Sequence, residues 1–314
     1  MNTDFKKVVV LMGGPSSEAE ISRLTGNAIL KALKEKNYNA EGMEFVPQTV
    51  VEDIKNSGCD IVFNAIHGKY GEDGRLAGIL DTLAIPYTSC GVLSSAITMD
   101  KVATKHLFRS TGISTPRSLV YRKYDYLKNK NLADEILNTF SLPVVVKAAS
   151  QGSSIGVEIV EKVEDLHFAL ENSFKYDEAI LIEEFIKGRE LSIPVIGNHE
   201  KKALPIIEIT TNSGRYDYKS KYTKGESHHI IPAPISDELT AKVQKLCVDA
   251  CTVADCRGVV RVDVMLSEDD VPYALEINSV PGMTETSLVP DSAQYAGISF
   301  ADLCEMILNM AVEK

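Results

Sequence analysis

Between Val259 and Gly282 the chain alternates apolar and polar residues twice. In VVRVDVML, Val260, Val262, Val264 and Leu266 fall on one face and Arg261, Asp263 and Met265 on the other. In LEIN, Leu275 and Ile277 alternate with Glu276 and Asn278. Period 2 is the strand pattern. The short acidic loop SEDDV between the runs predicts an antiparallel hairpin with Arg261, Asp263, Glu276 and Asn278 on one face.

Upstream the pattern divides into three segments. Residues 1–100 begin with a buried-type strand, Val8 to Met12. A Gly-Gly-Pro-Ser-Ser turn then leads into a helix striped by Ile21, Leu24, Ala28 and Leu33. Ile61 to Ile66 is the next strand, and Leu76, Ile79, Leu80 and Leu83 stripe another helix. Alternation of this kind predicts an open, mostly parallel α/β sheet. Residues 101–190 open with a helix striped by Met99, Val102, Ala103, His106 and Leu107 and stopped by Gly112 and Pro116. Strands at Val144–Lys147, Val157–Val160 and Ile180–Ile182, with a helix around Leu166 and Leu170, make a small α+β unit. Residues 191–314 carry strands at Leu191–Ile196 and Leu204–Ile209, a long helix near Leu239–Ala254, and the hairpin.

The length of 314 residues suffices for two or three cores. A net charge of −11 argues against nucleic acid or an anionic membrane as partner. Any anionic ligand must be held by local Lys, Arg and backbone N–H groups. The opening MNTDFKKVVVLMGG is too short in apolar residues for a signal peptide, and no later run reaches about 18 apolar residues. The six cysteines form no Cys-x-x-Cys pair and have no His at zinc spacing. They read as small buried thiols in a reducing cytosol, with Cys247 and Cys251 sharing a helix face.

On the hairpin, three oxygen ligands beside a cation are costly on otherwise apolar strands unless something binds there. Hard oxygen ligands suit Mg²⁺ bridging a polyphosphate; the bland alternative is a solvated face with a chance salt bridge. Lys147-Ala-Ala-Ser-Gln-Gly-Ser-Ser-Ile-Gly156 joins two apolar strands, a lysine followed by small residues whose N–H groups can approach phosphate. It also matches Gly-x-Ser-x-Gly, with Ser154 at the nucleophile position. That motif needs a helix next, and a strand follows here, which argues against an esterase. Neither a Walker A motif nor Gly-x-Gly-x-x-Gly occurs, which argues against a dehydrogenase. Glu183-Glu184 ends a strand and reads as an adenine and ribose contact or as an acidic linker. His67 and Glu18 both lie at carboxyl ends of strands and could meet over one site; a core histidine and a helix-dipole partner are the plainer readings. The Tyr- and Lys-rich stretch from Asn212 to Ser227 has the length of a lid. The adjacent His228 and His229 face opposite ways and make a weak metal site.

Taken in order, GGPSSEAEIS, AIHGKYGEDG, YTSCGVLSSAITMDK, VVVKAASQGSSIG, EEFIKGRE, YDYKSKY, RVDVML, LEINSVPGMT and SLVP resemble the D-alanine–D-alanine ligases of the ATP-grasp superfamily. The resemblance spans nearly the whole chain. It implies a substrate domain at 1–100 and two α+β ATP-grasp subdomains at 101–190 and 191–314 gripping ATP. Lys101 and Lys147 would contact phosphates under a loop that includes Ser153 and Ser154. Glu183, Glu184 and the backbone near Ile186 would face adenine, and Glu190 the ribose. Asp263, Glu276 and Asn278 would bind two Mg²⁺ or Mn²⁺, with a monovalent cation such as K⁺ as a further cofactor. Glu18 would hold the ammonium of the first D-alanine near His67, and Arg261 with the Gly282 amide would form the oxyanion site. Ser287, Leu288 and Lys221 would take the carboxylate of the second D-alanine, and Tyr222, Ser153 and Glu18 would close a triad. The implied protein is a cytoplasmic homodimer, joined through its first segment, that makes D-alanyl-D-alanine for peptidoglycan through an acyl phosphate.

Three positions depart from the family pattern: Ala148 where Pro is usual, Glu184 where Lys is common, and Ser279-Val280 before Pro281. None removes a proposed catalytic group. The Lys221-Tyr222 pair predicts dipeptide rather than depsipeptide synthesis. Two rivals remain. An ATP-grasp ligase for L-amino acids would share the ATP residues, and a nucleotide-binding protein without turnover would not need Asn278.

Overall fold

The computed structural model describes residues 5, 7–128, 132–152, 155–211, 226–284 and 287–313. Its three sheets follow the three segments. In the first, β1 (Val8–Met12) lies between β2 (Ala40–Glu44) and β3 (Ile61–Asn64), all parallel. β1 is buried throughout, as a central parallel strand covered on both faces must be. The second sheet is antiparallel, from β4 (Ser118–Arg122), β5 (Val144–Ala148), β6 (Val157–Val160) and β7 (Ala179–Glu184), in the order β4-β7-β5-β6.

The third sheet runs β11-β10-β8-β12-β13, with β9 beside β8. Its strands are β8 (Gly188–Ile196), β9 (Lys202–Ala203), β10 (Ile207–Thr211), β11 (Ser227–Ile230), β12 (Val259–Ser267) and β13 (Pro272–Asn278). The helix Asp237–Val253, capped by Ser236 through the Leu239 amide, packs its Val243, Cys247 and Cys251 against this sheet.

Several elements differ from the sequence reading. The helix after β1 spans Ala19–Glu35 and buries Ser22, Thr25, Gly26, Ile29, Ala32 and Leu33, while Leu24 is 59% exposed. Small polar residues face inward there because the helix seats against the strand ends of the site: Ser22 Oγ donates to the Ala65 carbonyl and accepts from the Gly13 amide. The stripe predicted from Met99 to Leu107 is also shifted. Asp100 breaks that helix in two, Val92–Met99 and Lys101–Thr111, and caps the second by accepting from the Val102 and Ala103 amides. Its buried face carries Thr104, Lys105 and Phe108. The expected strand Leu204–Ile209 starts only at Ile207, just beyond Pro205, which has no N–H to give a ladder. The C-terminal helix Phe300–Met310 packs Leu303, Cys304, Ile307 and Leu308 onto the first sheet's core, beside Val8, Val10, Ile29 and Phe63. The end of the chain thus ties the first sheet to the third. Among the described residues, no helix is long and apolar enough to cross a membrane.

Candidate active site

The hairpin places its polar residues as the alternation predicted. Arg261 pairs with Asn278 and Asp263 with Glu276 across β12 and β13. A β-bulge follows: Val264 pairs with Ala274, so Leu275 is the extra residue and Ala274, not Leu275, joins Ile277 in the core. The bulge turns the register at the carboxylates, a common device beside a site. Asp263 is 8% exposed. It accepts from Arg261 Nε and Nη2, both at 2.8 Å, from Asn278 Nδ2 at 3.1 Å and from Ser192 Oγ at 2.7 Å. Glu276 pairs with Lys101 Nζ at 3.1 Å, and Lys101 also donates to the Gln151 carbonyl at 2.7 Å. The two carboxylates therefore both face cations.

The central sheet supplies a second charged cluster. Lys147 is the penultimate residue of β5, and its Nζ lies 2.6 Å from Glu183 Oε2. Lys105 Nζ lies 2.7 Å from Glu183 Oε1. Burial alone would raise the Glu183 pKa, but the two lysines outweigh it and hold the carboxyl below its usual range. Burial works against the Lys147 charge too, yet Glu183, Glu276 and Glu190 together raise its pKa. Lys101, Lys147, Glu183, Glu190 and Glu276 thus form one electrostatic unit spanning both antiparallel sheets. Glu184 is engaged elsewhere: its carboxylate accepts from the Arg117 amide and Nε, both at 2.7 Å. Ile186 is half-buried just beyond β7. The link after Lys147 leads into the strand β6, where a nucleophile elbow needs a helix.

Glu18 and His67 do lie close together. A Cβ at Gly68 would sit 2.9 Å from Glu18 Oε2, and one at Gly152 would sit 3.0 Å from the same oxygen. The Glu18 carboxylate is thereby wedged between the loop after β3 and the loop after β5. His67 is 4% exposed. Its Nδ1 donates to the Val280 carbonyl at 2.9 Å and its Nε2 meets Thr25 Oγ1 at 3.0 Å. Burial lowers its pKa, but Glu72, whose Oε1 is 3.7 Å away, and Glu18 outweigh it and the net shift is upward. Thr25 also accepts from the Met283 amide at 3.4 Å. The first sheet therefore grips the Ser279–Met283 turn that carries Gly282.

Ser287 begins the helix Leu288–Tyr295 and accepts from the Thr284 amide at 3.0 Å. A Cβ at Gly282 would come within 2.9 Å of Ser287 Oγ, so the turn and that helix start touch. His229 and His228 alternate as expected; His229 pairs with Asp291 at 2.6 Å and His228 is exposed. Ser153, Ser154, Lys221 and Tyr222, with most of the expected lid, lie outside the described residues.

Sequence reasoning passed over Lys105, Ser192, Thr25 and Glu72. Lys105 was legible in principle: it stands four residues after Lys101, on the same helix face. Ser192 is opposite Asp263 in the β8–β12 register, which no single-strand pattern reveals.

Comparison with known proteins agrees with this geometry. The D-ala D-ala ligase C-terminus family model matches residues 107–309 and the N-terminus model residues 41–90. The D-alanine–D-alanine ligase of Pelotomaculum thermopropionicum is 47% identical over 98% of this chain and 97% of its own. The Bacillus anthracis D-alanine–D-alanine ligase, solved in complex with ATP, superimposes with a TM-score of 0.84 at 33% identity, covering 98% of this chain and 97% of that one. The VanG D-Ala:D-Ser ligase from Enterococcus faecalis superimposes at 0.82 with 27% identity, covering 98% and 99%. The chain belongs to the D-alanine–D-alanine ligase family.

Proposed function

We propose that the protein joins two D-alanines in an ATP- and Mg²⁺-dependent reaction that passes through an acyl phosphate. The observation that carries this reading is the charged unit just described, in which Lys101 and Lys147 face Glu276, whose cross-strand partner Asp263 is held by Arg261 and Asn278. The ATP bound to the similar Bacillus anthracis enzyme supports it.

The donor set fits a hard divalent cation. Asp263, Glu276 and Asn278 offer only oxygen to a metal, and their strands are paired in register. Among the described residues no group of three or more His, Cys, Asp and Glu side chains could hold a metal. Asp263, Glu276 and Asn278 would hold Mg²⁺ through their side-chain oxygens. Bound there, Mg²⁺ would offset the negative charge of the triphosphate.

The rest falls to the chain. A carboxylate is a poor electrophile toward an amine. Transfer of the γ-phosphoryl group to the first D-alanine gives it a good leaving group, and Lys101 and Lys147 offset the charge that builds on the phosphate. Glu18, held between Gly68 and Gly152, would take the ammonium of the first D-alanine. The second D-alanine must attack as a free amine, so the site has to lower its pKa or take its proton. Arg261 and the Gly282 amide stabilise the tetrahedral oxyanion, and Ser287 at its helix start receives the second carboxylate. Water has to be kept out or the acyl phosphate hydrolyses, which gives the Tyr- and Lys-rich segment its purpose. The six free thiols fit a reducing cytoplasm, and a homodimer through the first segment is the expected assembly.

The test of mechanism is isotopic. D-alanine labelled with ¹⁸O in its carboxylate should pass one labelled oxygen to the phosphate released. Phosphate without label would sink the acyl phosphate.

A further inference from the structure

We propose that Lys105 is a positioning residue for the nucleotide, fixing Glu183 so that Glu183 in turn aims Lys147 at the phosphates. This rests on the reading of ATP as substrate. Lys105 is 1% exposed, among the most deeply buried large side chains of the protein. A buried ammonium is tolerated only with its donors satisfied. Here the three donors have three acceptors: Thr115 Oγ1 and the Pro116 carbonyl, both at 2.9 Å, and Glu183 Oε1 at 2.7 Å. Glu183 is equally buried at 2% and takes one lysine on each oxygen. Without Lys105, Lys147 would be its only remaining lysine partner, drawn onto Glu183 and away from any phosphate.

The same ammonium pins the joint between the two gripping sheets. Thr115 Oγ1 donates to the Ala274 carbonyl at 2.7 Å, and the Ala274 amide donates to the Ser114 carbonyl at 2.8 Å. Ala274 lies on β13, two residues before Glu276. Ser114–Pro116 leads into β4, whose Ser118 pairs with Glu183. Lys105 therefore links its helix to the nucleotide-side carboxylate and to the Ser114–Pro116 segment, which in turn bonds to β13. Burial brings its pKa down to about 8 against the pull of Glu183, with Lys147 and Arg109 adding to the fall. Its charge is therefore one that alkali can remove.

The experiment compares wild type with Lys105→Met, Lys105→Arg and Thr115→Val. It measures affinity for a non-hydrolysable ATP analogue by calorimetry, KM for D-alanine and thermal stability. Lys105→Met should weaken nucleotide binding at least about tenfold, equivalent to about 1.4 kcal/mol, while KM for D-alanine moves less than twofold. Lys105→Arg should recover most of the affinity. It should also flatten the loss of affinity expected of wild type above about pH 8. A folded Lys105→Met protein with unchanged nucleotide affinity, or with both constants moving together, overturns the proposal. If Lys105→Met does not fold, Thr115→Val decides: affinity several-fold weaker supports the proposal, and unchanged affinity overturns it. Wild type that binds the analogue but makes no dipeptide would count against the proposed function alone, because the affinity comparison still judges Lys105.

Discussion

Arg261 and Asp263 stand two residues apart on β12 and lock together through a two-bond fork, Nε to Oδ1 and Nη2 to Oδ2, each 2.8 Å. The proposed oxyanion donor and the proposed metal ligand thus hold each other in place. Ser192 Oγ and Asn278 Nδ2 complete the shell around Asp263.

That shell gives the first prediction. Ser192→Ala removes a buried hydrogen bond to the proposed metal ligand Asp263 but none of the proposed ligands themselves, so the Mg²⁺ concentration for half-maximal rate should rise about 10–100-fold with little change in folding. Asn278→Ala removes one of the proposed ligands and should cost more in rate than that. A Mg²⁺ titration of both variants checks the order. A nucleotide-binding protein without turnover would leave both substitutions silent.

Gly68 holds φ at +70, and an added Cβ would press on Glu18. Gly68→Ala should destabilise the loop by about 1–2 kcal/mol and displace the Glu18 carboxylate. The expected signature is a KM for D-alanine raised about tenfold with nucleotide affinity unchanged. The Glu18 role fails if nucleotide affinity falls instead.

His67 binds its proton more tightly in the fold than in the unfolded chain, because Glu72 and Glu18 outweigh its burial. Its contribution to stability is therefore complete below about pH 6.5 and is lost as pH rises through its raised folded value. Chemical denaturation from pH 5.5 to 8.5 should show wild type losing its advantage over His67→Gln as pH increases. An advantage that grows with pH would reverse the sign and refute the assignment.

The hairpin and the mix of a parallel sheet with antiparallel ones were legible because burial on one face writes period 2 and period 3.6 directly into the chain. The Leu275 bulge was not, since an inserted residue preserves local alternation while shifting its phase. The Lys101–Thr111 helix misled for a related reason. A stripe of Val102, Ala103 and Leu107 looks like the core face, yet the structure buries Lys105 beside Phe108 to satisfy Glu183, 78 residues away in sequence. Glu72 and Thr25 were missed likewise: each gains its meaning only from His67, across a fold that pairs β1 with β3.

The most direct test of the account is phosphate release from Mg-ATP with D-alanine alone, with the product identified by mass. The account predicts stoichiometric phosphate and D-alanyl-D-alanine, with neither formed from L-alanine. Release that needs D-serine or D-lactate as second substrate would contradict the assigned acceptor. Release with L-alanine would contradict the stereochemistry of the site, and no release with any of these would contradict the ligase reading itself.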